Sequence, residues 1–516
     1  MADTSVVRGK IAGWTLEAGP KDADRIFVTP RMATDMRNIR DGNTCVVLGR
    51  KGVGKSGLMH RFAKQYEDEV TFRKIEFDPE LLLARIRRFG ADFNLSSAQK
   101  IFQLDFLIHA ADELSYALPD RKAAQSARAI SEYYTRLSPR RYIGTTLRKY
   151  NIQSALVSLL GVFFGAENVN IPRNAAFSDY EEIERQYRVL SRTFRELLRT
   201  NPPRKPVFIV YDEIDQVVST AKTEDKIHDY IQIAEALLLA AANFRQLEGG
   251  TLPVYPIIVL RSDIFDRIRN DDIQKLRGNA ADVKFSRDDV ANIIKHRLQV
   301  ELTSVLGAGG AERLSLAEAW AKIFSAGFDG GNGFDALLDR SLLRARDVVA
   351  FMRIMATISL QRSGAKTAMI SAEDYRKARP KYGEHFWNEL EDEMRYVYSF
   401  GDEIRLELQN LFTSRVGGKK KAFFKPTVTK ADVINHFEAF AQRVRSRGQS
   451  VDSRELLNDL LKRSVLGARM PGGGGGEVLR FHYEDDIERD IQEVTSVALH
   501  RAIMNYFDDR IKSNKS

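Results

Sequence analysis

Cysteine is almost missing from these 516 residues: Cys45 stands alone, so no intrachain disulfide can form. A lone thiol also rules out a zinc site built from several cysteines, and the scarcity fits a reducing, cytoplasmic setting. Long apolar runs are missing too. The most apolar stretch, residues 155–166, is 12 residues long, against the ~20 that a membrane-crossing helix needs. It reads as a buried helix, and no membrane partner is expected. Residues 1–20 are polar and glycine-containing, without the apolar core of a secretory leader. The eight histidines do not gather at metal-ligand spacing. No internal repeat and no nuclease, protease or TIR-like signature is visible, so any cutting would fall to a partner chain.

What is present is an ordinary globular composition, 43% hydrophobic and 29% charged, which excludes wholesale disorder. The length asks for roughly three domains of about 150 residues. Net charge is +9 with a pI near 9.3, unevenly spread. Residues 121–149 carry eight cations (Arg121, Lys122, Arg128, Arg136, Arg140, Arg141, Arg148, Lys149) against the single acid Glu132. Tyr133, Tyr134, Tyr142 and Tyr150 are interleaved with them or follow directly. That mixture can hold single strands by phosphate attraction and base stacking, or the tyrosines can pack the segment's own helices. Residues 415–480 form a second basic region. Nucleic acid is a possible partner of either, and a solvated face is the alternative.

Residues 44–48, Thr-Cys-Val-Val-Leu, have the composition of a buried parallel strand. They run into Gly49-Arg50-Lys51-Gly52-Val53-Gly54-Lys55-Ser56, which fits G-x-x-x-x-G-K-[ST], and Gly57 then opens a helical pattern to residue 66. Glycines let such a loop curl and aim successive backbone N–H groups at phosphate oxygens. The helix N-terminus adds partial positive charge. ATP and Mg²⁺ are therefore the expected ligands: Gly49, Gly52, Val53, Gly54, Lys55, Ser56 and Gly57 form the phosphate cradle. Lys55 reaches the β- and γ-phosphates, and the Ser56 hydroxyl ligates Mg²⁺.

A second strand-like run, residues 205–211, ends in Asp212-Glu213-Ile214-Asp215. Acids at the carboxyl tip of a parallel strand lie where open α/β sheets bind ligands. Asp212 is expected in the Mg²⁺ shell and Glu213 as the base that polarises the attacking water. Asp215 reads as a salt-bridge partner or helix cap ahead of a catalytic role. The Asp-Glu-x-Asp string also resembles that of DEAD-type helicases, but their loop form and second domain are missing. A third apolar run, residues 254–260, ends in Arg261-Ser262-Asp263. Arg261 there could sense the γ-phosphate or form a salt bridge.

At these residues the chain resembles the STAND and AAA+ ATPases, the molecular-switch branch of P-loop proteins, over residues 26–298. The loop, the strand ending in Asp212-Glu213 and residues 258–263 resemble their Walker A, Walker B and sensor-1 elements. Residues 260–276, followed by Asp282-Val283-Lys284-Phe285 and a helix over 287–300, look like a bacterial subgroup found in defence or mobile-element neighbourhoods. Arg344-Ala345-Arg346-Asp347 resembles that subgroup's sensor-2 string, with Ala where Pro is usual. The resemblance implies an inward-pointing arginine, and Arg346 is preferred over Arg344. It also implies an arginine finger, for which Arg277 competes with Arg267 and Arg269. One departure is the gap of 157 residues from Lys55 to Asp212, which leaves room for a helical subdomain.

Past residue 382 the pattern gives one long amphipathic helix (386–412) and a basic connection (417–425). Two helices (430–444, 453–462) follow, then two strand-like runs (464–469, 477–483) about a glycine-rich tip at 472–476. Helix, helix, hairpin is the order of a winged helix, which reads DNA or packs on the ATPase as a switch element. The expected fold is thus α/β: a P-loop ATPase core with a parallel sheet (26–300), carrying a helical insertion (79–200). An N-terminal extension (1–25), a helical lid (301–381) and a winged-helix-like domain (382–516) complete it. The expected function is an ATP-hydrolysing switch, assembling with itself or controlling a separate effector, in bacterial defence by resemblance. A DNA-handling ATPase is the alternative.

Overall fold

The computed structural model describes residues 4–16, 29–76, 95–136, 179–214, 224–244, 253–325, 328, 333–363, 369–394, 398, 400–415, 422–447, 451–471, 477–483 and 493–513. The expected helix at 155–166, Asp215, the basic run 140–150, residues 416–421 of the second basic region and the glycine tip 472–476 lie outside them. The chain forms two compact units. Val28–Arg50 and Lys55–Val283 make a sheet unit; Met1–Phe27, Lys51–Gly54 and Lys284–Ser516 make a helical unit.

The sheet unit is built on β1 (Val46–Gly49), β2 (Thr71–Glu76), β3 (Val207–Asp212), β4 (Val254–Arg261) and β5 (Ala281–Asp282), in the order β2-β3-β4-β1-β5. All the pairings are parallel. The apolar runs become strands because both faces are covered: β1 and β3 are buried at every position. β5 is shorter than expected and ends at Asp282, before Lys284 and Phe285. With α1 assigned to Thr4–Ala12 in the other unit, α2 (Pro30–Arg40) starts on a Thr29 cap whose hydroxyl accepts from Met32 N, with Pro30 in the first turn. After the glycine loop, α3 (Lys55–Gln65) buries Leu58, Met59 and Phe62. The Phe62 ring meets Phe208 of β3 edge-on at 5.3 Å.

The long insertion contributes α4 (Leu95–Ala117), α5 (Arg121–Arg136) and α6 (Asp179–Thr200), and α7 (Glu224–Phe244) follows β3. These helices belong to the sheet unit. α4 is apolar nearly all round because α5, α6, α7 and β3 surround it. Polar ties join it to the sheet, where Tyr211 Oη donates to Asp105 at 2.6 Å and Arg73 pairs with Asp112 and Glu113, and to α6, where Lys100 pairs with Glu184 at 3.6 Å.

The helical unit contains α8 (Arg287–Leu306), α9 (Leu316–Ile323), α10 (Ala345–Ser363), α11 (Ala372–Met394), α12 (Gly401–Leu411), α13 (Lys430–Arg445), α14 (Ser453–Lys462) and α15 (Arg501–Ser513). One apolar core runs through it from Val7 to Phe507. Three expectations change here. The N-terminal segment is no appendage: α1 packs on α8 and α10, with Arg8 buried and donating to Ser359 at 3.1 Å. The division expected at 381/382 falls inside a single helix, α11. The long helix expected over 386–412 is two, because α11 ends at Met394 and Gly401 opens α12.

The C-terminal part has a four-stranded sheet, β10-β9-β11-β8, from β8 (Val428–Thr429), β9 (Leu466–Pro471), β10 (Glu477–Arg480) and β11 (Ser496–Leu499). With α13 and α14 between β8 and β9, this is the expected winged-helix-like order. Within residues 417–425, β7 (Ala422–Phe424) pairs antiparallel with β6 (Thr413–Arg415). α15 docks on α11 across Gly383, where a Cβ would lie 2.6 Å from the Ala502 carbonyl, so only glycine allows this approach.

Candidate nucleotide site

In the sheet unit, β1 hands directly into the glycine loop, and Gly49 lies opposite Arg261 in the parallel register. β3 sits one strand further out, beyond β4. The carboxyl ends of β1, β4 and β3 therefore bring the loop, Arg261 and Asp212-Glu213 to one edge of the sheet. Lys55 and Ser56 open α3, so their backbone N–H groups are among the donors a helix leaves unused. Lys55 Nζ donates to the carbonyls of Gly49 (3.0 Å) and Arg50 (3.1 Å). Gly57 is buried beneath this turn.

Asp212 is 4% exposed. Its Oδ1 accepts from Glu213 N at 2.8 Å, and its Oδ2 lies 3.2 Å from Lys74 Nζ. Lys74 also donates to Glu213 Oε1 at 2.9 Å. Burial, the largest influence on this ammonium, works against its charge, but Glu213 and Asp212 outweigh it and the Lys74 pKa is raised. Glu213 has φ 62°, a left-handed conformation that costs a non-glycine residue ~1–2 kcal/mol. His60, one turn past Ser56 on α3, is lowered below its ordinary value by burial and then by Lys74; it stays neutral at pH 7. Sequence reading missed Lys74 and His60. A lysine on an edge strand carries no signal until the pairing of Glu76 with Asp212 brings β2 against β3.

Arg261 is 1% exposed and holds Asp263 with both arms, at 2.9 and 2.6 Å. This is the salt-bridge alternative, buried instead of at the surface. Of the finger candidates, Arg277 pairs with Asp266 and stands 5.8 Å from the Phe265 ring, Arg269 is exposed, and Arg267 is half-buried.

Within the helical unit, loop residues Lys51–Gly54 meet the two sensor-2 candidates. Arg344 is the buried one, at 2% exposure. Its Nη1 donates to the Lys51 carbonyl at 2.8 Å and to Glu393 at 2.9 Å, and its Nε to Asp347 at 2.9 Å. Arg346 is 16% exposed, 3.3 Å from Glu389. It also covers Gly52: φ there is +76°, and a Cβ would sit 3.0 Å from Arg346 Cδ. Val53 is buried, and Gly54 has φ +99°. Two residues in positive-φ conformations give the curled backbone that turns N–H groups toward an anion. In the sheet unit, the Lys55 ammonium, the Ser56 hydroxyl and the buried Asp212 carboxylate are the groups that would meet a nucleotide with Mg²⁺, a metal that takes one or two protein oxygens. Among the described residues no group of three or more His, Cys, Asp or Glu could hold a metal by itself. No helix among them is long and apolar enough to cross a membrane.

Comparison with known proteins adds little at the level of sequence. A family described as the FunZ-associated C-terminal helical domain matches residues 288–391. No curated protein matches the chain. Among solved structures it is similar to the Aeropyrum pernix ORC1 protein in complex with DNA, at 12% identity and TM-score 0.31 over 95% of each chain. It is also similar to a Walker-type ATPase of Pyrococcus abyssi, at 11% identity and TM-score 0.34, over 92% of this chain and 95% of that one. On its own strands and loop, the chain has an α/β fold of the P-loop ATPase kind, with a winged-helix-like C-terminal part.

Proposed function

We propose that this chain is a Mg²⁺-dependent ATPase acting as a switch on a partner effector or on its own assembly. The observation that carries the reading is the Asp212–Glu213–Lys74 cluster on the sheet edge that also bears the glycine loop. Lys55 leaves the Gly49 and Arg50 carbonyls for the phosphates, and Ser56 and Asp212 hold the metal. Bound Mg²⁺ supplies neutralisation of phosphate charge. Glu213 accepts the proton of the attacking water, and Lys74, donating to Oε1 at 2.9 Å, fixes the direction of that carboxylate. Arg261 serves as a sensor only by exchanging Asp263 for a phosphate oxygen. Arg346 does so by leaving Glu389. Bacterial defence is the setting the family resemblance implies.

The helix–helix–hairpin order after Val428 favours a DNA-handling ATPase as the second reading. Against it, the exposed face of α14 offers Arg454 and Lys462 beside Glu455, while Asp459 is tied to Tyr398 Oη at 3.0 Å. A recognition helix for phosphate-rich duplex would show more cationic excess.

The test is ATP binding and turnover, alone and with duplex DNA, single-stranded DNA and RNA, with mass photometry before and after ATP. Lys55→Ala should lose ATP binding. Glu213→Gln should bind ATP nearly as the parent does and turn it over about 10²-fold more slowly or worse. Equal loss of affinity in both variants sinks the division of roles, and DNA-stimulated turnover promotes the second reading.

A further inference from the structure

The insertion that separates Lys55 from Asp212 contains a feature the nucleotide site does not use. Between α4 and α6 lies a cleft of about 930 Å³. Arg188, Arg192, Arg195 and Arg199 all line it from α6. Their spacing of four, three and four residues puts them in one stripe along a helix face, about 16 Å long. Lys100 of α4 adds a fifth cation, and among the described lining residues the acids are Glu184 and Glu196, so these carry three positive charges in excess. Those acids occupy the ends of the stripe: Glu184 pairs with Arg188 at 3.1 Å and Glu196 with Arg199 at 2.6 Å. The side chains of Arg188 and Arg199 are still 76% and 74% exposed.

The inner wall is different. Tyr187 and Gln103 each line the cleft and are each 4% exposed. The Tyr187 hydroxyl and the Gln103 carboxamide oxygen have no hydrogen-bond partner among the described residues. Buried polar atoms are satisfied almost without exception, so two orphans in one wall ask for a ligand. Lys100 Nζ lies 4.3 Å from the Tyr187 ring centroid and fixes its position.

We propose that this cleft binds two or three phosphodiester-linked nucleotides, with the arginine stripe on the phosphates and Tyr187 and Gln103 on sugar or base. Arginines on successive turns stand about 5.4 Å apart, a spacing that serves successive phosphates better than the two oxygens of one carboxylate. Guanidinium forks match phosphate geometry. The volume is that of a small-ligand site, roughly 300–1,000 Å³, which admits a short single-stranded piece and excludes a duplex. The ligand is either a free short oligonucleotide or a stretch of a longer single strand. The site shares no residue with the glycine loop, so it stands or falls apart from the ATPase reading.

The experiment is fluorescence anisotropy on the full chain with labelled three-nucleotide and twenty-nucleotide single strands, MgADP being present throughout to fill the loop. Affinity of the three-nucleotide strand should fall with salt at a log–log slope of about −1.4 for its two bridging phosphates. Arg188→Glu with Arg192→Glu should weaken binding at least about tenfold and flatten the slope by roughly one or more. Tyr187→Phe should weaken it about three- to tenfold while leaving the melting temperature unchanged or raised, since it removes only an unsatisfied hydroxyl. Binding of both strands identifies a free oligonucleotide as a sufficient ligand, and binding of the longer one alone identifies a strand path. No salt-sensitive binding of either strand, or binding that these variants leave intact while Arg140→Glu with Arg141→Glu abolishes it, overturns the proposal.

Discussion

Arg344→Ala removes a charge that the helical unit cannot do without. The guanidinium is 2% exposed, and its partners Asp347 and Glu393 are 4% and 2% exposed. Burial works against the arginine's charge, yet Asp347, Glu393 and Glu389 more than compensate and raise its pKa. Deleting it takes the guanidinium from two buried carboxylates, leaving Asp347 with the Leu342 N–H at 3.0 Å, and leaves the Lys51 carbonyl without its charged donor. Breaking such a buried network from one side costs about 3–5 kcal/mol. Arg346→Ala, by contrast, loses its 3.3 Å contact with Glu389 from a less buried position, and should cost clearly less than Arg344→Ala. The assay is built into the sequence. The three tryptophans, Trp14, Trp320 and Trp387, all lie in the helical unit, so their fluorescence in a urea titration reports that unit alone. Adding Glu393→Gln to Arg344→Ala should restore part of the loss by removing one stranded charge. An Arg344→Ala unfolding free energy within about 1 kcal/mol of the parent, or an equal loss in Arg346→Ala, would refute the reasoning. If Arg344→Ala alone fails to accumulate folded, the double variant carries the comparison.

Two further outcomes follow from named residues. Gly52→Ala demands a left-handed alanine at φ +76° and a Cβ 3.0 Å from Arg346 Cδ, so calorimetry should show ATP affinity about tenfold weaker, matching a strain of ~1–2 kcal/mol; adding Arg346→Ala relieves the clash but not the φ strain, and an unchanged affinity in the single variant contradicts this loop geometry. His500 is wholly buried, stacked on Phe386 at 4.7 Å and pushed down to about 3 by burial and then by Arg344, Arg340 and Arg501, against the opposing Ser341 backbone contact. The unfolded chain takes up a proton near pH 6.5 that the folded chain refuses, so this stability is whole above 6.5 and shrinks as pH falls toward 3. The loss should be about 2 kcal/mol at pH 5, visible in tryptophan-monitored urea titrations and flattened in His500→Gln.

Local rules carried the reading furthest where structure is local. Residues 453–462 were legible as a helix to the residue, because Asp452 caps both Arg454 N and Glu455 N and the apolar positions recur at helical spacing. β1, β3 and β4 were legible because strands buried on both faces are apolar without interruption. β11 was not: four residues without turn signals become a strand only because β9 and β8 flank them on either side. The burial of Arg344 beside the less buried Arg346 was not legible either: Leu343 has φ 52°, just before the helix that begins at Ala345. Nothing in a leucine announces a left-handed conformation. Lys74 was hidden for the same kind of reason, since its partners arrive 138 and 139 residues later through strand pairing.

On the switch reading, magnitudes decide which contacts can move. Lys51–Gly54 group with the helical unit, while Arg50 and Lys55 on either side group with the sheet unit. A ligand shifts an equilibrium only through contacts that differ between the two states. The Arg344 bond to the Lys51 carbonyl belongs to a buried network too costly to open, so it does not differ. Lys51 Nζ holds Asp392 at 3.0 Å and Glu389 at 3.8 Å from a quarter-exposed position, and Arg346 holds Glu389 at 3.3 Å. Both are weak enough for a γ-phosphate to outbid. Glu389 is common to the two, so releasing Arg346 toward phosphate leaves Glu389 to Lys51 and tightens one contact as the other breaks. The proposed switch would then work through the Arg346–Glu389–Lys51 exchange, with Arg344 held in its buried network. Glu389→Gln should accordingly shrink the difference in affinity between ATP and ADP, and calorimetry showing both affinities unchanged would remove Glu389 from the switch.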